Sequence, residues 1–168
     1  MILSKNEISS RIASQKLVLG YTNLKDQLQP AGIDLTLEKI CEFKSEGKID
    51  FDNSERKLSD VEELKFGKDG WADLKKGIYK IQFAEEVRIP SDLAAICILR
   101  SSLLRCGCIL HQGFWDPGYK GKGESALFVG NEKGIRIKKG AKVAQLIFFK
   151  LSSEAEELYS GIHLNENL

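Results

Sequence analysis

Along most of this chain apolar and polar residues alternate in short bursts. IDLTL at 33–37, GIYKIQF at 77–83, AAICIL at 94–99, SALFV at 125–129, IRI at 135–137 and VAQLIFF at 143–149 are rich in β-branched and aromatic residues, and Gly, Lys, Asp or Pro separate them. That pattern predicts strands of a sandwich or closed barrel. Long helical patterns between the strands are missing, which argues against a parallel α/β sheet. One helix is expected, over residues 4–14: Ser4 and Glu7 have the spacing of a capping box, and Ile8, Ile12 and Ala13 give an apolar stripe. Residues 45–73 are polar, charged and weakly periodic, so they predict an excursion of loops and short edge strands rather than a linker.

Composition narrows the partners. A length of 168 residues fits a single domain, 1–168, with a real core. The formal charge is +1 and both signs are interspersed, unlike the one-sided basic field of a nucleic-acid binder, so no nucleic acid is expected. No apolar run approaches the roughly 20 residues of a membrane span, and the first residues lack the order of a secretory signal. The expectation is a cytoplasmic protein with no membrane partner. The four cysteines form no CxxC pair and the two histidines lie far apart, so no zinc ligand set is recognisable. Cys106 and Cys108 alternate as on a strand, and all four cysteines read as small buried hydrophobes.

The chemistry concentrates in three segments: QPAGIDL at 29–35, RSSLLR at 100–105 and GFWDPGY at 113–119. Arg100 and Arg105 flank the hydroxyls of Ser101 and Ser102, a dense array of donors for phosphate oxygens, and a guanidinium pairs with such oxygens in a geometry lysine cannot reproduce. Asp116 lies on a Pro-Gly turn with Tyr119 three residues on, as a water activator and a sugar platform would require. By itself an Asp in a turn is more often a turn residue bonding its own backbone. Gln145, between apolar neighbours, equally suits the solvent side of an alternating strand.

These segments, with MILSKNEI, GIYKIQFAEEVRIP and KGAKVAQLIFFKL in the expected order, make the chain resemble the dUTPase and dCTP deaminase superfamily, in particular its archaeal-type dUTPases. The resemblance covers nearly the whole length. It implies an all-β distorted jelly-roll, a dUTPase-like barrel with one short N-terminal helix, assembled as a homotrimer with sites at the subunit interfaces. It also implies hydrolysis of dUTP to dUMP and pyrophosphate, with Asp116 orienting water for in-line attack on the α-phosphorus. Arg100, Ser101, Ser102, Arg105 and Gln145 would hold phosphates, Tyr119 would stack on the deoxyribose, and Asp34 would hold Mg2+ through water. The hairpin from Leu110 to Trp115 would read the base.

The alternative is a dCTP deaminase, or a bifunctional enzyme. Deaminases of this superfamily place a proton-carrying glutamate in the strand after the Asp motif. Counting back from Asn131 puts Phe128 there, and counting ten forward from Asp116 puts Ala126 there; neither transfers a proton. Glu124 lies nearby but would need a shift in register. Two departures from the family pattern stand out. The interval from His111 to Asp116 is about two residues shorter than in deaminases, and ELYSGIHLNENL replaces the glycine-rich C-terminal motif of common trimeric dUTPases.

Overall fold

The capping box predicted at the N-terminus forms. The computed structural model describes residues 1–168, and in it Ser4 caps α1 (Lys5–Gln15), with the Ser4 N–H donating to Glu7 Oε2 at 2.8 Å and the Glu7 N–H donating to Ser4 Oγ. Ile8 and Ile12, one turn apart, are buried, and the helix stops at Lys16 in the left-handed region, φ 56°. Two further helices, α2 (Leu24–Gln27) and α3 (Ser101–Arg105), correct the expectation of a single one. Each is about one turn long, too short for an apolar period to register. The cap marks α2 instead: Asn23 Oδ1 accepts from the N–H groups of Lys25 and Asp26.

The strands are β1 (Val18–Leu19), β2 (Leu28–Gln29), β3 (Gly32–Phe43), β4 (Val61–Glu63), β5 (Trp71–Leu74), β6 (Gly77–Phe83), β7 (Glu86–Arg88), β8 (Leu93–Leu99), β9 (Cys108–His111), β10 (Lys120–Gly121), β11 (Glu124–Val129), β12 (Ile135–Lys138) and β13 (Lys142–Lys150). The main sheet runs β8-β13-β3-β6-β11-β9, with β2 and β4 also paired to β3. Two small sheets, β1-β7-β10 and β5-β12, take up the remaining strands. All pairings between these strands are antiparallel. The excursion at 45–73 supplies β4 and the start of β5, short edge strands as expected.

The two ends of the main sheet meet. Just beyond β9, Trp115 exchanges both backbone hydrogen bonds with Ala95 of β8, at 2.9 and 3.0 Å, and so nearly closes the sheet into a barrel. Edge strands invite pairing with other chains, and closure removes them. Inside, one contiguous cluster includes Phe83, Phe148, Ile33, Leu35, Ile81, Leu93 and Leu146, all fully buried. The fold is therefore all-β, a distorted jelly-roll with three short helices. No helix is long and apolar enough to cross a membrane.

The cysteines behave differently from expectation. Cys106 is not on a strand: it ends α3, and Gly107, at φ 79°, turns the chain before Cys108 opens β9. Cys108 is buried, Cys106 exposed, and Cys41 and Cys97 half-buried. Burial pushes the Cys97 thiol far up, so it stays protonated at neutral pH.

Candidate active site

The first group of candidate residues gathers where β3, β13 and the end of β8 lie side by side. Asp34 of β3 pairs with Gln145 of β13, and Arg100 follows directly on Leu99. Asp34 is almost wholly buried, and its Oδ2 lies 2.9 Å from Gln29 Nε2, 3.2 Å from Arg100 Nη1 and 3.5 Å from Lys142 Nζ. A buried carboxylate persists only when paired and hydrogen-bonded; here two cations and an amide do both. The same arrangement holds two positive groups side by side, each about a third exposed. Ser101 and Ser102 present exposed hydroxyls on the first turn of α3, above buried Leu103. Arg105 folds back onto that turn, donating to the Ser101 carbonyl at 3.2 Å. Lys142 and Gln29 were not singled out from the sequence.

Below Asp34 lies a second carboxylate that sequence reasoning also missed. Glu85 is fully buried, and Oε1 accepts from Gln27 Nε2 and Thr36 Oγ1 at 2.7 Å each, while Oε2 accepts from the Thr36 N–H at 2.8 Å. Gln27 Nε2 also donates to the Asp34 carbonyl at 2.9 Å. Glu85 thus ties α2 to β3 at Thr36, while Gln27 itself holds the Asp34 carbonyl. Burial raises its carboxyl above the ordinary value, and the hydrogen bonds from Thr36 and Gln27 partly offset this.

The second group follows the barrel's closure. In Asp116-Pro117-Gly118-Tyr119 the Tyr119 N–H donates to the Asp116 carbonyl at 3.1 Å, and Gly118 has φ 87°. Proline second and a positive-φ glycine third are the requirements of a type II turn. Asp116 is half-buried at the wall of a cavity of about 220 Å³, and no donor within the chain engages its carboxylate. Tyr119, buried, packs edge-on against Trp115 with ring centroids 4.9 Å apart. Its hydroxyl donates to Glu166 Oε1 at 2.7 Å, and burial followed by the nearby Glu166 carboxylate raises its pKa.

Glu166 belongs to a C-terminal tail that is docked, not frayed. The Asn165 N–H donates to the Lys120 carbonyl at 2.7 Å and the Lys122 N–H to the Glu166 carbonyl at 3.1 Å. Tyr159, His163 and Glu166 of this tail complete the far wall of the cavity.

The two groups do not meet within one chain. Trp115 pairs at Ala95, and Arg100 stands five residues farther along β8, roughly 16 Å at the rise of a strand. Asp116 lies beyond Trp115 in the opposite direction.

The sequence matches the dCTP deaminase-like family over residues 2–151. The chain belongs to that family. A protein of Methanosarcina mazei named "Probable deoxyuridine 5'-triphosphate nucleotidohydrolase" is 48% identical over 167 residues, covering 99% of this chain and 98% of its own. The "Deoxyuridine 5'-triphosphate nucleotidohydrolase" of Methanocaldococcus jannaschii is 38% identical over 145 residues, 85% of this chain and 91% of its own. Among solved structures, the 2'-deoxycytidine 5'-triphosphate deaminase of Agrobacterium tumefaciens superimposes with a TM-score of 0.65 at 22% identity, over 88% of this chain. This chain spans 47% of that structure's length, and the likeness is one of fold.

Against the deaminase pattern, Ala126 sits on β11 between Lys80 of β6 and His111 of β9, and Phe128 lies one repeat further on the same outward face. Glu124 precedes them on that face, 2.9 Å from Lys80 Nζ. The ladder through β11 has no bulge that would move Glu124 into the place of Ala126.

Proposed function

We propose that this chain hydrolyses dUTP to dUMP and pyrophosphate in the cytoplasm, as a homotrimer whose sites combine the Arg100 group of one subunit with the Asp116 group of another. The observation that carries the reading is the Asp116 carboxylate, set on a hydrogen-bonded turn, half-buried and unclaimed by any donor of the chain, beside the ring of Tyr119. Nearly full-length relatives named as dUTP nucleotidohydrolases supply the substrate.

In this mechanism Asp116 accepts a hydrogen bond from a water and aims its oxygen at the α-phosphorus, opposite the departing pyrophosphate. Such a reaction asks mainly for positioning and charge neutralisation. Arg100 and Lys142, paired with Asp34 in the free chain, turn their remaining donors to the phosphate oxygens, with Ser101, Ser102, Arg105 and Gln145 around them. Tyr119 supports the deoxyribose. No three Asp, Glu, His or Cys side chains gather into a metal cage. One carboxylate among phosphate oxygens and waters is nevertheless enough for Mg2+; Asp34 would take that part, through water, only as Arg100 and Lys142, which neutralise its buried Oδ2 in the free chain, turn to the phosphates. The ion would neutralise charge on the phosphates.

Two observations support self-association with sites shared between copies. The residues needed for one reaction lie too far apart in one chain. Ile78, Phe128 and Ile109 also stand exposed side by side across β6, β11 and β9, a band of apolar surface that a second copy would cover.

Replacing Asp116 by Asn keeps the turn and weakens the acceptor. Turnover of dUTP should fall roughly 10²-fold or more, with affinity for a non-hydrolysable analogue largely kept. Unchanged turnover would remove Asp116 from the mechanism. Ammonia released from dCTP by the unaltered protein would instead favour the deaminase reading.

A further inference from the structure

Trp115 is the pivot of the candidate site: its backbone closes the barrel onto β8, its ring packs on Tyr119, and Asp116 is the next residue. The indole is almost wholly buried, tilted toward Phe83 and set so close over Gly123 that a Cβ there would collide with it. A buried indole N–H needs an acceptor. Gln112 is the side chain that supplies one.

Of the two ways round for the Gln112 amide, one satisfies every group it faces. With the oxygen inward, Oε1 accepts from Trp115 Nε1 and from the Cys97 backbone N–H, both at 2.7 Å, and Nε2 donates to Ser125 Oγ at 2.9 Å. The other way round sets the amide's own N–H groups against two obligate donors. The partners lie on β8, on the closing segment and on β11, so one half-buried amide joins three parts of the barrel around the indole. Cys97 N–H belongs to a strand edge that β9 does not reach, which is why a side chain completes the ladder there.

We propose that Gln112 is a positioning residue for catalysis: it fixes the depth and tilt of Trp115 and through it the place of Asp116. The inference rests on the hydrolytic reading above for its kinetic arm. Gln112 does not touch the reacting atoms. With its oxygen and one N–H spent inside the protein, it sets the wall of the base hairpin and leaves the backbone of Gly113 and Phe114 to face a base.

The test uses three variants in the assembled full-length protein, on a Trp71→Phe background so that Trp115 is the sole tryptophan and its emission is read by exciting tryptophan selectively over the four tyrosines. Gln112→Met keeps length and shape and removes the acceptor. Gln112→Glu keeps oxygens for both N–H donors, with the Ser125 hydroxyl turning to donate. Ser125→Ala loosens the amide without touching the indole. Gln112→Met should lower kcat for dUTP at least 10-fold with KM changed less than about 3-fold, and should alter Trp115 emission. Gln112→Glu should stay within about 3-fold of the parent in kcat and keep its emission, and Ser125→Ala should fall between. A folded Gln112→Met with parental kcat and emission overturns the proposal, as does a Gln112→Glu as impaired as Gln112→Met. Should Gln112→Met fail to fold, Ser125→Ala with parental kcat and emission overturns it instead. If the parent itself does not turn over dUTP, the hydrolytic reading fails, and altered emission in Gln112→Met alone still shows that Gln112 seats the indole.

Discussion

Asp34 and Glu85 show two ways of keeping a carboxylate inside a barrel. Asp34 is neutralised by Arg100 and Lys142, groups exposed enough to be lent to a ligand. Glu85 has no cation; three donors from Thr36 and Gln27 hold it, and burial still keeps its proton affinity above the ordinary value. All three partners donate, so an amide at this position would turn an N–H toward one of them. Glu85→Gln should therefore cost about 1–3 kcal/mol, read as a lower urea midpoint at neutral pH. The pH dependence has a definite sign. Above the unfolded value of 4.5 the folded chain binds this proton more tightly than the unfolded chain. Glu85 therefore contributes most below that value, and its contribution declines as pH rises through the folded one. The glutamine variant should lack that decline, and a variant as stable as the parent across the range would show that the three hydrogen bonds contribute nothing net.

At the level of elements, what could be read from the chain and what could not divide along a physical line. Local signals were legible: the Ser4–Glu7 box gave α1 its start, alternation in GIYKIQF marked β6, and Asp-Pro-Gly-Tyr marked a turn that forms. Helices of one turn were not, because four or five residues carry no period, and Cys106 was misplaced because a positive-φ glycine interrupts what looks like alternation. In the site, residue types were legible but partners were not. Nothing in AEEVRIP separates buried Glu85 from half-buried Glu86, and Lys142 resembles any other lysine until β13 lies beside β3. Long-range pairing also anchors α1, whose Arg11 meets Asp92 in a two-pronged ion pair, at 3.0 and 2.5 Å. The hydrogen bond from Arg11 holds the Asp92 carboxyl below its ordinary 3.8. The pair therefore stabilises fully above that value and loses its contribution as pH falls through the lower, folded one. Arg11→Ala should cost about 1 kcal/mol at pH 7, and urea midpoints of parent and variant should draw together as the pH is taken progressively below 3.8. A gap that stays constant with pH would mean that the loss comes from packing of the arginine stem instead.

For the whole molecule, the decisive fact is that the barrel keeps its two chemical groups apart. Arg100, Lys142 and Asp34 stand where β8 ends, and Asp116 with Tyr119 stands where the chain crosses back onto β8 near its start. Closing the barrel fixes that spacing, so no rotamer change joins them, whereas a symmetric assembly brings unlike patches of two copies together. Mixing tests this directly. Asp116→Asn and Arg100→Ala proteins should each be nearly inactive alone. Unfolded together in equal amounts and refolded, they should regain activity, because a composite site can draw Arg100 from one chain and Asp116 from its neighbour. If each site takes its halves independently, about one quarter of all sites are intact on random mixing. Mixing without unfolding should restore activity only as fast as subunits exchange. Recovery near one quarter of the unaltered rate would establish sites shared between chains. No recovery, with mixed assemblies shown by mass spectrometry, would place both halves in one subunit and require the barrel to open in a way that the Trp115–Ala95 closure opposes.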